Sequence, residues 1–314
     1  MKQTLKKLAL TAALALSPLV GHAQDWAPDR PINIIVGFSA GGGTDSTARL
    51  IASSAQEFFD VPLVVVNRPG ASGTLAAELV ANADPDGLTL LVAGGSESTS
   101  VPNHLETNYS LDQLRGVIRV NREHMVIVTA AGSGLDSAQA IVDAAMASPG
   151  ELTYGSSGPA GILHSAFLVF EQEAGIQMTH VPFTGGAPAL AALLGGHVDM
   201  TILTPGDALA QSEAGNVNII ATTSDRAPQL PDTPSLQELG FNVNLENMKG
   251  LVVPADTPDE IVQYLHDHFL QAMESETFAS LASRANIVPA YLNGEDFDAA
   301  MADMSAAIAN ALSE

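Results

Sequence analysis

"NIIVGFSAGGGTDSTARLIA", residues 33–52, begins as an apolar β-branched run, passes through three consecutive glycines and continues with helical spacing. The order strand, glycine turn, helix recurs along the chain and sets its class. "PLVVVNRPG" (62–70), "TLAAELVANA" (74–83) and "GLTLLVAG" (87–94) read as strand with turn, helix and strand. After a less regular stretch, "EHMVIVTAA" (123–131) reads as one strand and "SAQAIVDAAMAS" (137–148) as a helix. "ILHSAFLVFEQEAG" (162–175), "MTHVPF" (178–183), "APALAALLGG" (187–196), "VDMTILT" (198–204), "ALAQSEAG" (208–215) and "VNIIATT" (217–223) keep helix and strand alternating. "GLVVPADTP" (250–258) enters the helix "DEIVQYLHDHFLQAMES" (259–275), with Pro258 placed in its first turn, and "GEDFDAAMADMSAAIANALSE" (294–314) reads as the last helix. Such alternation with short glycine-containing loops predicts α/β architecture, with parallel-rich sheets flanked by helices. Two lobes joined by two crossings, with the chain ending on the lobe where it began, fit this order; a single continuous α/β domain is the alternative.

The first 23 residues carry Lys2, Lys6 and Lys7, an apolar run from Leu8 to Leu16, and the small residues Gly21 and Ala23. They read as a secretory leader cleaved after about Ala23, with a retained N-terminal anchor as the alternative. Removing it leaves nine basic against 35 acidic side chains, a formal charge of −26, and Lys249 as the sole lysine. That charge opposes binding to nucleic acid and anionic lipid surfaces, and neither is expected as a partner. It also suits a salty medium, where self-repulsion is screened. With no cysteine there is no disulfide, thiolate nucleophile or zinc–thiolate site, and no cofactor is expected.

Three glycine loops end predicted strands. In the first, Gly41, Gly42 and Gly43 lack the glycine at position 46 that a dinucleotide fingerprint needs, and the lysine of a phosphate loop is absent. The turn retains the physics of anion capture, because N–H groups at a helix start face outward with its positive dipole end. Asp45 suits an N-terminal cap or first-turn role. The second loop carries Ser156, Ser157, Gly158 and Gly161; its glycine spacing does not fit the nucleophile elbow of hydrolases. Phe183, Thr184, Gly185 and Gly186 form the third. Three such loops at carboxyl ends of strands point to one ligand cleft.

The remaining polar candidates read as structural. His266 and His268 lie two apart on a helix and point away from each other, and the other histidines show no ligand spacing. The run Arg115, Arg119, Arg122 fits surface ion pairs better than a carboxylate clamp.

The blocks "PDRPINIIVGFSAGGGTDSTAR", "VPLVVVNRPGASGTLAAELVANADPDGLTLLVAG", "THVPFTGGAPALAALLGGHVDM", "PDTPSLQELGF" and "GLVVPADTPDEIV" closely resemble the substrate-binding receptors of tripartite tricarboxylate transporters, the Bug family. The likeness covers nearly the whole chain after the leader. Met248 stands where an aromatic pair is common before Gly-Leu, and a frequent C-terminal tryptophan is missing. The resemblance implies a two-lobed, periplasmic-binding-protein-like fold of type II, a Venus flytrap. Lobe I is expected over residues 24–128 plus 250–314 and lobe II over 129–249. It implies a periplasmic, monomeric, non-enzymatic receptor that delivers a small organic carboxylate (a di- or tricarboxylate, an aromatic monocarboxylate or an amino acid) to membrane permease subunits. The ligand-binding residues it implies are Phe38, Ser39, Ala40, Gly41, Gly42, Gly43, Thr44 and Asp45 from the first loop. Ser156, Ser157, Gly158 and Gly161 follow from the second, and Phe183, Thr184, Gly185, Thr204 and Asp207 at the ligand's distal end. Backbone amides are expected to hold the carboxylate without help from lysine or arginine, and ligand bridging to close the lobes. If Asp207 faces the cleft, it opposes a second carboxylate and favours a monocarboxylate or an amine-bearing ligand. The alternatives are a receptor presenting its closed form to a sensor kinase, and a periplasmic hydrolase using Ser156 or Ser157, for which spacing identifies no histidine base.

Overall fold

The computed structural model describes residues 26–311, so the leader and its cleavage point lie outside the described residues. β1 (Ile32–Val36), α1 (Gly43–Ala55), β2 (Leu63–Asn67), α2 (Thr74–Ala81), β3 (Thr89–Ala93) and the short α3 (Ser96–Thr99) come first. β4 (Leu114–His124) and β5 (Val126–Ala130) follow, then α4 (Ala138–Ala147), β6 (Thr153–Ser156), α5 (Ile162–Ala174) and β7 (Thr179–Pro182). Next are α6 (Gly186–Leu194), β8 (Met200–Leu203), α7 (Pro205–Glu213) and β9 (Val217–Thr222). β10 (Glu246–Pro254), α8 (Asp259–Glu274), α9 (Glu276–Arg284), β11 (Pro289–Asn293) and α10 (Gly294–Ala311) complete the order.

The strands form two sheets, ordered β11-β4-β10-β3-β1-β2 and β7-β6-β8-β5-β9. Both are mixed. β2-β1-β3 and β7-β6-β8 are parallel, as βαβ crossovers dictate, whereas β10 runs antiparallel to β3 and β4, and β5 antiparallel to β8 and β9. β11 is antiparallel to β4 as well, and the chain passes between the sheets from β4 to β5 and from β9 to β10. The chain leaves the first sheet at Met125 and returns between Thr222 and Glu246, so the boundaries expected at 128/129 and 249/250 fall within β5 and β10. The stretch 123–131, expected as one strand, is broken by that first crossing.

Alternation along β1 explains the layers. Ile32, Ile34 and Val36 join one core with Ala48, Ile51 and Ala55 of α1 and Ile261, Leu265 and Phe269 of α8, and Ile35 joins a core with α2 and α10 on the other face. The α1 and α8 positions recur at three- and four-residue spacing, the helical stripe that such a sheet face requires. Each fully buried Leu or Phe there contributes about 1.5–3 kcal/mol. Ser137, Thr204 and Ser275 cap α4, α7 and α9 through their side-chain oxygens. Pro258 is the residue before α8, not part of its first turn. Among the described residues no helix is long and apolar enough to cross a membrane.

α10 departs from the simple two-lobe expectation. Phe297 and Met301 belong to the first sheet's core, whereas Ile308, fully buried, belongs to the second sheet's core. Its approach to the first sheet depends on close backbone contact. A methyl group on Gly250 would lie 2.4 Å from the Ile118 carbonyl oxygen and 2.5 Å from Phe297. Gly250→Ala should therefore destabilise the protein by about 1–3 kcal/mol in urea unfolding. Gly186→Ala, whose methyl group would meet nothing within 4 Å, should stay within about 0.5 kcal/mol of the parent.

Candidate ligand-binding site

The glycine loops follow β1, β6 and β7 and open α1, α5 and α6, so all three converge on the space between the sheets. Direct hydrogen bonds join the two sides. Ser39 N donates to Thr184 O at 3.1 Å and the two hydroxyls lie 2.9 Å apart. Ser72 Oγ donates to Pro159 O at 2.5 Å, Ser96 Oγ accepts from Ile162 N at 2.9 Å, and Ser100 Oγ donates to Ala160 O at 2.6 Å. The cleft is thus closed along this seam, and it encloses a cavity of about 60 Å³.

Phe38, Gly42, Gly43, Thr44, Ser157, Thr204 and Asp207 line that cavity. A neighbouring cavity of about 230 Å³ shares Phe38 and Ser157 and adds Gly158, Phe183 and Thr184. The other expected residues serve the frame. Ala40 and Gly41 are exposed and line neither cavity. Asp45 turns back, accepting from Gly41 N, Arg49 Nε and Asn67 Nδ2, each at 2.9 Å. Burial raises its pKa, yet the Arg49, Gly41 and Asn67 bonds outweigh that and hold the carboxyl below its ordinary range. Gly161 and Gly185 provide close approach, since a methyl group would lie 2.8 Å from Ser96 Oγ on the first and 3.3 Å from Ser39 N on the second. Ser156 faces inward, bonded to Gly158 O at 2.9 Å and lying 2.7 Å from His180 Nε2. That histidine contact is one the spacing did not reveal.

α1 starts at Gly43 with Gly42 in extended conformation before it, leaving the first-turn N–H groups without intrahelical acceptors. Lys249, 2% exposed, brings its ammonium to the same place. A methyl group on Gly43 would lie 2.9 Å from Lys249 Nζ, 2.6 Å from Thr204 Cγ2 and 3.3 Å from Glu123 Oε2. Lys249 is thus a cation in the lining that the expectation of a purely backbone anion site did not include. This lysine contacts the Glu123 carboxylate, and Asn121 Nδ2 donates to Glu123 Oε1 at 3.2 Å. Burial pulls the Lys249 ammonium down to about 7, with Glu97 opposing.

Sequence reasoning missed Glu97, Glu123, Asn247 and Lys249, all of which line the cavity. Glu97 is 2% exposed; burial raises its pKa, against hydrogen bonds from its own N–H, Ser98 Oγ, Gly95 N and Gly94 N. Asp207 is raised by burial, with Thr204 opposing. The one usable signal was a lone lysine within an apolar run, "NMKGLVV" (247–253). The arginines follow the ion-pair reading at two positions. Arg115 meets Asp259 at 2.7 Å, Arg122 meets Asp225 at 2.9 Å and Glu246 at 2.7 Å, and Arg119 Nε donates to Ala290 O at 2.8 Å.

Buried pairs of this kind have a specific mutational signature. Lys249→Met should cost about 3–5 kcal/mol, because Glu123 is left charged and buried. Adding Glu123→Leu should recover most of that loss, which a double-mutant cycle by urea unfolding would measure.

The model of the tripartite tricarboxylate transporter family receptor matches residues 47–312. A protein encoded in the gbd 5′ region of Cupriavidus necator is 34% identical over 292 residues, covering 92% of this chain and 89% of that protein. The structure of periplasmic binding protein BugD superposes with a TM-score of 0.84 at 26% identity, covering 90% of this chain and 96% of that one. The R. palustris protein Rpa4515 with adipate superposes at 0.83 and 26% identity, covering 91% and 98%. With its two helix-flanked mixed sheets and a closed cleft between them, this chain belongs to the tripartite tricarboxylate transporter receptors, a family of periplasmic solute-binding proteins.

Proposed function

We propose that the protein captures a small organic carboxylate between its two sheets in the periplasm and hands it to a membrane permease. The leader, residues 1–23, would direct export, and the first sheet with its helices (residues 26–124 and 246–311) would move as one lobe against the second (residues 126–222). The observation that carries this reading is the placement of Lys249 Nζ beside Gly43, where α1 presents its free N–H groups. A carboxylate there receives charge-assisted hydrogen bonds, roughly twice as strong as neutral ones. Ser157 and Thr204 reach the same cavity from the other sheet, so a guest bridges both sides. The R. palustris relative with adipate binds an acid of this general kind. The family's description as a transporter receptor supports a permease as recipient.

A second reading rests on Ser156 Oγ at 2.7 Å from His180 Nε2, the pairing of a serine hydrolase. Three facts oppose it. Ser156 is 1% exposed and lines neither cavity of the cleft, the His180 ring stacks on His164 at 3.8 Å, and among the described residues no carboxylate orients it. Ser156→Ala should leave ligand binding intact, and the parent should release no nitrophenol from nitrophenyl acetate above buffer rate. Serine-dependent release would support the hydrolase instead.

Isothermal titration of the exported protein against a panel of mono-, di- and tricarboxylates tests the main reading. At least one acid should give heat and, at a hundredfold excess over Kd, about 2.7 kcal/mol of added stability. Gly43→Ala should weaken that acid at least tenfold, since its methyl group intrudes on Lys249 and Thr204. Absence of heat and of any thermal shift across the panel would overturn the assignment.

A further inference from the structure

Three histidines gather behind the seam that joins the two sides. His164 of α5 stacks on His180 of β7, with ring centres 3.8 Å apart and planes inclined by 11°. His104, from the first-sheet side, reaches Ser165 of α5 at 3.4 Å. The Tyr154 ring on β6 lies 5.2 Å from His180 and 6.1 Å from His164. Its hydroxyl donates at 3.3 Å to Glu171 of α5, whose other oxygen accepts from Met178 N at 2.5 Å. Burial raises both Tyr154 and Glu171. Among the described residues none of the three histidines makes an ion pair with a carboxylate. Burial lowers the pKa of all three, and the charges of His180 and His104 add to the fall at His164, down to about 4.

One strained residue connects this cluster to the seam. Ala160 sits at φ 56°, in the left-handed region that a side chain disfavours. Its N–H donates to His164 Nδ1 at 2.9 Å, and its carbonyl accepts at 2.6 Å from Ser100 Oγ on the opposite side of the cleft. Ser100 Oγ also lies 2.6 Å from Ser165 Oγ. At the start of the same loop His180 Nε2 lies 2.7 Å from Ser156 Oγ. The stacked pair therefore holds the loop 156–161 from one side while Ser72 and Ser100 hold it from the other. Accepting from Ala160 N requires a bare Nδ1 on His164. A proton there turns the acceptor into a donor facing a donor, and sets a cation 3.8 Å from a second imidazole in a partly dry space. Drawing the sheets apart withdraws Ser100 and His104 from α5 and gives the charged ring access to water.

We propose that His164 is a positioning residue for the loop 156–161, and that it makes closure of the cleft acid-sensitive. With neutral rings the loop keeps its cross-cleft bonds; protonation of the stacked pair releases them. Burial fixes the direction. The closed form holds these groups below the ordinary histidine value of about 6.5, so its advantage is complete above that pH and is lost as pH falls toward about 4. The two rings titrate as a coupled pair. This inference concerns the seam, and it holds whatever guest the cavity admits.

Energy transfer between two dyes tests it. The chain has no cysteine, so Leu79→Cys on α2 and Leu194→Cys on α6, both exposed, give one label on each side of the cleft. In the dialysed, exported protein, transfer should fall between about pH 7 and pH 5 and recover on return, with far-UV circular dichroism unchanged. His164→Asn places an amide oxygen near the position of Nδ1 and cannot titrate. It should keep the neutral-pH transfer of the parent and cut the acid response by half or more, which separates the pair from Lys249 and the acids of the cavity. Ser100→Ala, which cuts the link between Ala160 and the other side, should lower transfer already at neutral pH. Equal transfer in the parent at both pH values, or an undiminished acid response in His164→Asn, would overturn the proposal. Neutral-pH transfer in Ser100→Ala equal to the parent's would overturn it too, as would loss of circular dichroism over the same interval.

Discussion

One buried charge pair sets the terms for the rest of the site. Lys249 and Glu123 stand on β10 and β4, neighbouring antiparallel strands of the first sheet. These are also the two strands that join the sheets, β4 handing the chain to β5 and β10 receiving it back. The segments that define the crossing therefore carry the charges into the cavity. A buried ammonium persists only with partners, because desolvation costs several kcal/mol per ion. Glu123 supplies the direct partner and Glu97 the nearby field. Gly43 yields the space they occupy, so the start of α1 and the charge pair are one construction.

On the proposed reading, the site also explains how a strongly acidic protein would hold an anion. The formal charge of −23 would repel a carboxylate if it acted at long range. In water at physiological salt, charges beyond about 8 Å are screened. On that reading, what decides capture is the local set of donors: helix-end N–H groups, Lys249 and the Ser157 side chain. Selectivity can then come from acids kept inside the same space, where screening is weak. The outer surface and the cavity are electrostatically separate problems.

The sequence exposed the repeating architecture because its signals are local. β1, α1, α5 and α8 announce themselves through period-two and period-3.6 apolar patterns and glycine turns, and the structure places them there. β4, α9 and β11 were not recognised. β4 carries Arg115, Arg119, Asn121, Arg122, Glu123 and His124 in eleven residues, which resembles an exposed charged stretch. Those residues are polar because the strand passes from the core to the crossing, pairing with Asp259, Asp225, Glu246 and Lys249 from segments more than 100 residues away. No local pattern encodes such partners. The same reason hid Glu97, which lies on a four-residue helix too short for any periodic signal. Gly42, Gly43, Thr44 and Ser157 were legible because a glycine turn between strand and helix has chemical meaning on its own.

The closed cleft depends on more than a guest. Met125 O accepts from Thr223 N at 2.9 Å, and Thr223 O accepts from Leu245 N at 2.8 Å, so the two crossings are fastened to each other at one point. That constraint favours rotation of the lobes about a short axis over translation. α10 adds a second tether, with Phe297 in one core and Ile308 in the other. Withdrawing Ile308 would forfeit about 1.5–3 kcal/mol of burial, whereas each neutral hydrogen bond along the Ser39, Ser72 and Ser100 seam is worth about 0.5–1.5 kcal/mol net. Direct contacts thus join the lobes along this seam, apart from any that a guest would add.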